Sequence, residues 1–184
     1  MHPAIGRLKD RWLSDETAVS VIRSGASVER LETFERKYGV ILPPLLRELY
    51  ELTEGMDGMV DETMLCLTPL DEVVPVCDFD SGCTSLPDEI RGWPDAPPWT
   101  KDWFVFADYL INSHLFLVRL TGRSASIGRV VSWDGGDLRH PIAPNFAAFL
   151  ELWSDEDENR LLHDHTELMP EDWDEEGSPG NSVT

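Results

Sequence analysis

Apolar residues recur along this chain at two spacings, and those spacings predict most of its elements. In "VERLETFERKYG" Leu31, Phe34 and Tyr38 fall on one helical stripe. Ser27 precedes the stripe and Gly39 follows it, so the segment reads as an amphipathic helix capped at both ends. The next stretch, "YGVILPPLLRELYELTEGMDGM", predicts a second helix with unusually sharp limits. Pro43 and Pro44 suit a first turn, where missing amide protons cost nothing. Leu45, Leu49 and Leu52, flanked by Leu46 and Tyr50, form its apolar face, while Arg47, Glu48 and Glu51 point outward. Gly55 stands where a left-handed C-terminal cap is wanted, and Asp57-Gly58 is a turn dipeptide.

Beyond it the period changes. Met64 to Leu67 reads as a short strand, followed by a helical turn with Thr68 as cap, Pro69 first and Asp71 reaching back. Residues 77–100 contain Gly82, Gly92 and several prolines without a stable period, which predicts a long surface loop. Then "WFVFA" (103–107), "LFLVRL" (115–120) and "IGRVVSW" (127–133) are aromatic and β-branched, with turn-like separators, as antiparallel neighbours require. "DGGD" ends the third strand. Behind Asn145, the residues Phe146, Phe149, Leu150 and Trp153 return to helical spacing. The expected organisation is one domain over 1–153, with its core at 27–153, and an acidic, disordered tail over 154–184.

Composition sharpens this picture in two places. At 184 residues the chain holds one domain with a real core, and 15 Lys and Arg against 35 Asp and Glu leave a formal charge of −20. The acid lies in two blocks: residues 41–100 carry 13 acidic and two basic side chains, and 151–184 carry 12 and one. Such a surface repels nucleic acid and anionic membrane and attracts a basic protein, although a charge run also serves as a plain solvated face. The first residues, "MHPAIGRLKDRWL", lack a secretory apolar core, and no apolar run reaches bilayer length, so a soluble cytoplasmic protein is expected. Cys66, Cys77 and Cys83 are odd in number and outside metal-ligand spacing, which predicts reduced thiols.

Candidate chemistry is thin. A thiol nucleophile with His114 or His140 as base has no supporting flanking motif, so buried apolar cysteines are the simpler reading. His163 and His165, two residues apart, do not share a helical face for a metal. Asp78 and Asp80 lack the remaining ligands of a calcium loop. Glu54, Asp57, Asp108 and Asp134 lie at element ends, where converging carboxylates would support acid-base work. Nucleotide, zinc-protease and serine-hydrolase motifs do not occur, which disfavours an enzyme and implies no cofactor.

The ordered set "VERLETFERKYGVILPPLLRELYELTEGMDG", "TPLDEV", "WFVFADYL", "HLFLVRL", "GRVVSW" and "APNFAAFLELW" resembles the SUKH superfamily, which includes the Smi/Knr-type regulator of yeast cell-wall synthesis and many bacterial immunity proteins. The matching positions are Glu35 and Gly39, Leu42 to Pro43, Gly55 to Gly58, Phe106 to Asp108, and Phe146, Phe149 and Leu150. The chain departs from the pattern at "YLINSH", where relatives carry a glycine-rich turn, and in the expanded loop 77–100. The resemblance implies an α+β fold, a mostly antiparallel sheet with helices packed on it, agreeing with the elements above. It also implies a non-catalytic protein-binding module: an immunity-type protein that neutralises a basic, nuclease-like toxin domain, or alternatively an intracellular regulatory adaptor. Exposed aromatic and acidic residues at element ends are the contact candidates: Glu54, Met56, Asp57, Asp108, Tyr109, Trp133 and Asp134, with Trp93 and Trp99 as second choices. Core packing is the competing role for each tryptophan.

Overall fold

A computed structural model describes residues 1–58, 64–79, 98–110, 113–122, 124–133, 139–155 and 161, with the backbone alone for Thr17, Pro98, Trp99 and Arg139. Four helices come first: α1 (Pro3–Ser14), α2 (Glu16–Val21), α3 (Val28–Tyr38) and α4 (Pro44–Leu52). The strands are β1 (Leu65–Leu67), β2 (Val74–Pro75), β3 (Trp103–Tyr109), β4 (His114–Arg119), β5 (Val130–Trp133) and β6 (Arg139–Ala143), and α5 (Phe146–Ser154) closes the series.

The strands form a six-stranded sheet in the order β1-β3-β4-β5-β6, with β2 also pairing β3, and every pairing is antiparallel. This is the α+β arrangement expected. The β3–β4 register slips between Val105 and Ala107, so Phe106 is the extra residue of a bulge. Its consequence is visible in the packing: Phe104, Phe106 and Ala107 all enter the helix-side core, breaking strict alternation. That core joins them to Leu31 and Phe34 of α3, Leu46, Leu49 and Tyr50 of α4, and Phe146, Phe149 and Trp153 of α5. A second apolar cluster of Val76, Trp103, Val105, Leu115, Leu117, Val131 and Trp133 occupies the other sheet face, with Phe79 packed against it.

Helix boundaries follow local chemistry. Ser27 Oγ accepts from the Arg30 N–H at 3.3 Å, and Gly39 ends α3 in the left-handed region at φ 65°. Asn145 Oδ1 accepts from the Ala148 N–H at 2.9 Å at the start of α5. Pro43 and Pro44 begin α4 as expected, and Leu45 and Leu52 lie partly buried at the border of its apolar face. Its end differs from expectation: Thr53, in extended conformation, is the cap residue, and its N–H donates to Leu49 O at 3.0 Å. Gly55 has φ 131° for another reason, given below.

Several elements were not foreseen. Helix α1 packs across α5, with the Trp12 and Trp153 rings 5.6 Å apart and Arg11 Nη2 donating to Trp153 O at 3.0 Å. Thus the first 26 residues, which carried no expected element, contribute Ile5, Leu8 and Trp12 to the core. Strands β2 and β6 are short border segments containing Pro75 and Pro141, which a sheet tolerates at its margins. After Pro69 the chain makes a turn closed by the Glu72 and Val73 N–H groups donating to Pro69 O. Helix α5 includes Ser154, the first residue assigned to the tail, and Leu161 is buried. Of the expected loop 77–100, residues 80–97 lie outside the described residues, as does most of 154–184. Among the described residues no helix is long and apolar enough to cross a membrane.

Candidate functional site: the closing turn of α4 and the cleft beside α3

The turn after α4 is fixed by backbone bonds on both sides. The Glu54, Asp57 and Arg23 N–H groups donate to Ser24 O, Val21 O and Gly55 O at 3.0, 2.8 and 3.0 Å, tying residues 54–57 to the segment after α2. On the other side the Met56 N–H donates to Leu67 O at 2.9 Å, and the Leu70 N–H donates to Glu54 O at 2.9 Å. Thr53 Oγ1 lies 3.0 Å from Arg23 O and 2.8 Å from Gly55 O, inside the turn. Two glycines permit these approaches: a Cβ on Gly25 would lie 2.0 Å from Glu51 O, and one on Gly55 would lie 2.5 Å from Pro69 Cα. Sequence position suggested a cap at Gly55; the structure shows a place where two backbones touch.

This scaffold gathers charge at one point. The Arg23 guanidinium is 2.7 Å from Asp57, 3.4 Å from Asp71 and 3.9 Å from Glu72. The three acidic side chains are 60%, 61% and 65% exposed, so three carboxylates share one cation in contact with solvent. The hydrogen bond to Asp57 raises the Arg23 pKa most; burial opposes it, and the charges of Asp57, Asp71 and Glu72 add to the rise, so the cation stays charged. The cluster therefore retains net negative charge.

Beside it, between α3 and the turn at 70–73, lies a cleft of about 320 Å³ whose apolar lining is Phe34, Tyr38, Leu70 and Val73. Glu29, Arg30, Thr33, Lys37 and Asp71 surround that lining. Phe104 supports it from the sheet, with its ring edge-on to Tyr38 at 5.2 Å and to Phe34 at 6.3 Å. Asp71 belongs to both cluster and cleft.

The residues expected to touch a partner fall into distinct environments. Asp57 is exposed in the acidic cluster. Glu54 is only 14% exposed and pairs with Arg30, which couples the turn to α3. Met56 is 2% exposed and bridges to Ile22, so the expected exposure of this side chain is corrected: the turn's bonds to β1 draw it inward. Trp133 is likewise corrected, being fully buried in the second cluster, because its position in β5 directs it inward opposite Leu115. Asp108 and Tyr109 are half-buried at the end of β3; Asp108 stands opposite Cys66, and the Tyr109 ring lies 6.2 Å from that of His114. Asp134 and Trp93 lie outside the described residues, as does the side chain of Trp99. The structure thus brings Glu54 and Asp57 together, links them to Asp108 through β1, and separates Trp133 from them. Asp71 was expected only to reach back to the start of its own turn, and Arg23 and Glu72 were not singled out; "TPLDEV" displayed the two acids, but nothing local marked Arg23 as their partner.

The Cys66 thiol lies 3.4 Å from Gly58 O and 3.7 Å from Met56 O. Burial, then the neighbouring charge of Asp108, pushes its pKa up to about 12, so at neutral pH it is a protonated thiol rather than a nucleophile. Among the described residues no group of three or more His, Cys, Asp or Glu side chains is placed to hold a metal ion. The site combines an acidic rim, an apolar recess and a turn fixed by backbone hydrogen bonds.

Residues 25–152 match the family model described as SMI1 / KNR4 family (SUKH-1). No curated protein matches the chain. The match begins after α2 and ends within α5, so it includes the turn, the cleft and the whole sheet.

Proposed function

The chain belongs to the SMI1/KNR4 family (SUKH-1), and from that membership we propose that it is a non-catalytic, cofactor-free protein-binding module acting in the cytoplasm. Its partner is a basic protein domain, and in the immunity-type reading that domain is a nuclease-like toxin. The observation that supports this most is the shared use of Arg23 by Asp57, Asp71 and Glu72 on an otherwise rigid turn. Nucleases bind a polyanion and present cationic surface. An acidic patch held at fixed geometry attracts such a surface, accelerates encounter and excludes the nucleic acid.

The test is co-expression with any basic toxin domain found encoded beside this chain. A stable complex that restores growth of cells producing an active toxin is the expected result; failure of any such domain to bind contradicts the proposal. Deleting residues 162–184 separates the two roles within the family. A toxin-neutralising protein keeps its affinity, because its surface is in the folded body, whereas an adaptor reading from its acidic end loses partners.

A further inference from the structure

Resting on the binding function just proposed, the geometry points to the cleft between α3 and residues 70–73 as the seat of one apolar side chain of the partner, flanked by Lys or Arg. Two observations carry this. First, a recess of about 320 Å³ lined by Phe34, Tyr38, Leu70 and Val73 has room for one or two apolar side chains, since roughly 150 Å³ is enough for benzene. An anchor residue entering such a pocket is the usual centre of a protein interface.

Second, the charges around the recess select what must flank that anchor. The cations are already engaged: Arg30 pairs with Glu54, and the Lys37 ammonium sits 4.5 Å from the centre of the Tyr38 ring. Asp71, by contrast, shares the single guanidinium of Arg23 with Asp57 and Glu72, leaving uncompensated negative charge at the mouth. The Thr33 hydroxyl donates to Glu29 O at 2.7 Å, so this polar group of the lining is engaged within the helix. A basic-apolar-basic segment satisfies both features: its side chain fills the recess and its cations meet Asp71 and its neighbours. An acidic segment would meet repulsion at the same mouth.

The test uses the full-length, isotope-labelled chain and three synthetic peptides of equal length: one with a central Phe between lysines, one with that Phe between glutamates, and one with lysines around glycine. Amide shifts are followed by NMR up to about 1 mM peptide, the range of weak but specific contacts. The first peptide is expected to saturate, to shift residues of α3 and 70–73, to bind about tenfold or more tightly than the glycine peptide, as burial of one aromatic side chain requires, and to bind more tightly than the glutamate peptide, whose charges meet Asp71. Thr33→Arg, at an exposed helix position, should abolish binding by filling the recess, and Asp71→Asn should weaken it several-fold. No saturation, equal binding of the three peptides, or shifts mapping elsewhere overturns the assignment. If a basic partner domain binds Thr33→Arg as tightly as the natural chain, the cleft is wrong while the binding function stands; if no basic domain binds either form, the functional proposal itself fails.

Discussion

Replacing Gly55 by alanine should destabilise the fold more than replacing Gly39, although both have positive φ. At Gly39, φ is 65° and an added Cβ meets nothing within 4 Å, so the cost is that of a left-handed alanine, about 1–2 kcal/mol. At Gly55, φ is 131° and the new Cβ would lie 2.5 Å from Pro69 Cα, 2.7 Å from Pro69 N and 3.1 Å from Thr68 C. These are backbone atoms and cannot rotate aside. The backbone conformation alone costs on the order of 1–3 kcal/mol, and overpacking adds about 1–3 kcal/mol as the turn and Pro69 separate. The expected total is about 2–6 kcal/mol, a large share of the roughly 5–15 kcal/mol that holds a domain together. At about 2–4 °C per kcal/mol for a chain of this size, the melting temperature should fall by roughly 4–24 °C, against roughly 2–8 °C for Gly39→Ala. Thermal unfolding followed by tryptophan fluorescence measures this, and urea unfolding gives the free energy, because Trp12, Trp133 and Trp153 are buried and should respond to unfolding. If Gly55→Ala costs no more than Gly39→Ala, the turn is not pinned against Pro69.

Three other outcomes follow from particular contacts. Glu35 accepts from the Leu42 N–H at 3.0 Å and from Arg47 at 2.9 Å, so Glu35→Ala should cost about 1.5–3 kcal/mol, measured by the shift of the urea midpoint. Trp12→Ala should cost about 3–5 kcal/mol, since its ring fills the contact between α1 and α5; a loss below about 1 kcal/mol would mean that α1 is an accessory rather than part of the fold. Burial raises the pKa of both the Cys66 thiol and the Tyr50 hydroxyl in the folded chain. Above the ordinary thiol value of 9.0 the unfolded chain loses protons that the folded one keeps, so stability should fall as pH rises from there toward about 12. Cys66→Ser should flatten that decline, and an unchanged alkaline profile would argue against the burial of the thiol.

Where the sequence was informative, a local signal and its cause coincided. Ser27 and Gly39 bound α3 because capping is a property of a few adjacent residues, and Asn145 marks α5 for the same reason. The aromatic and β-branched runs of β3, β4 and β5 were legible because those strands are buried along most of their length. Strand β6 was not, since Pro141 and the preceding glycines argue locally against a strand and only pairing with β5 overrides them. Gly55 illustrates a subtler failure: a glycine after a helix looks like a cap, and its true neighbour, Pro69, lies 14 positions further along the chain. Met56 and Trp133 were misjudged because nearness to an element's end does not determine which way a side chain faces. The acidic cluster joins residues 23, 57, 71 and 72, and the cleft joins α3 to residues 70–73; both are products of tertiary folding. Asp57 alone of that cluster was anticipated.

In the function proposed above, recognition of a basic partner through fixed charge belongs to the surface around the closing turn of α4. Its most direct test is the rate of association of that partner with two variants of identical net charge: Asp57→Lys, Asp71→Lys and Glu72→Lys together, and Asp10→Lys, Glu16→Lys and Glu32→Lys together. Stopped-flow measurements at low and high salt separate local from overall charge. The first triple variant should associate about tenfold or more slowly at low salt and lose most of its salt dependence, whereas the second should stay within about threefold of the natural chain. Equal slowing of the two would mean that only net charge matters, and unchanged rates in the first would place the contact surface elsewhere.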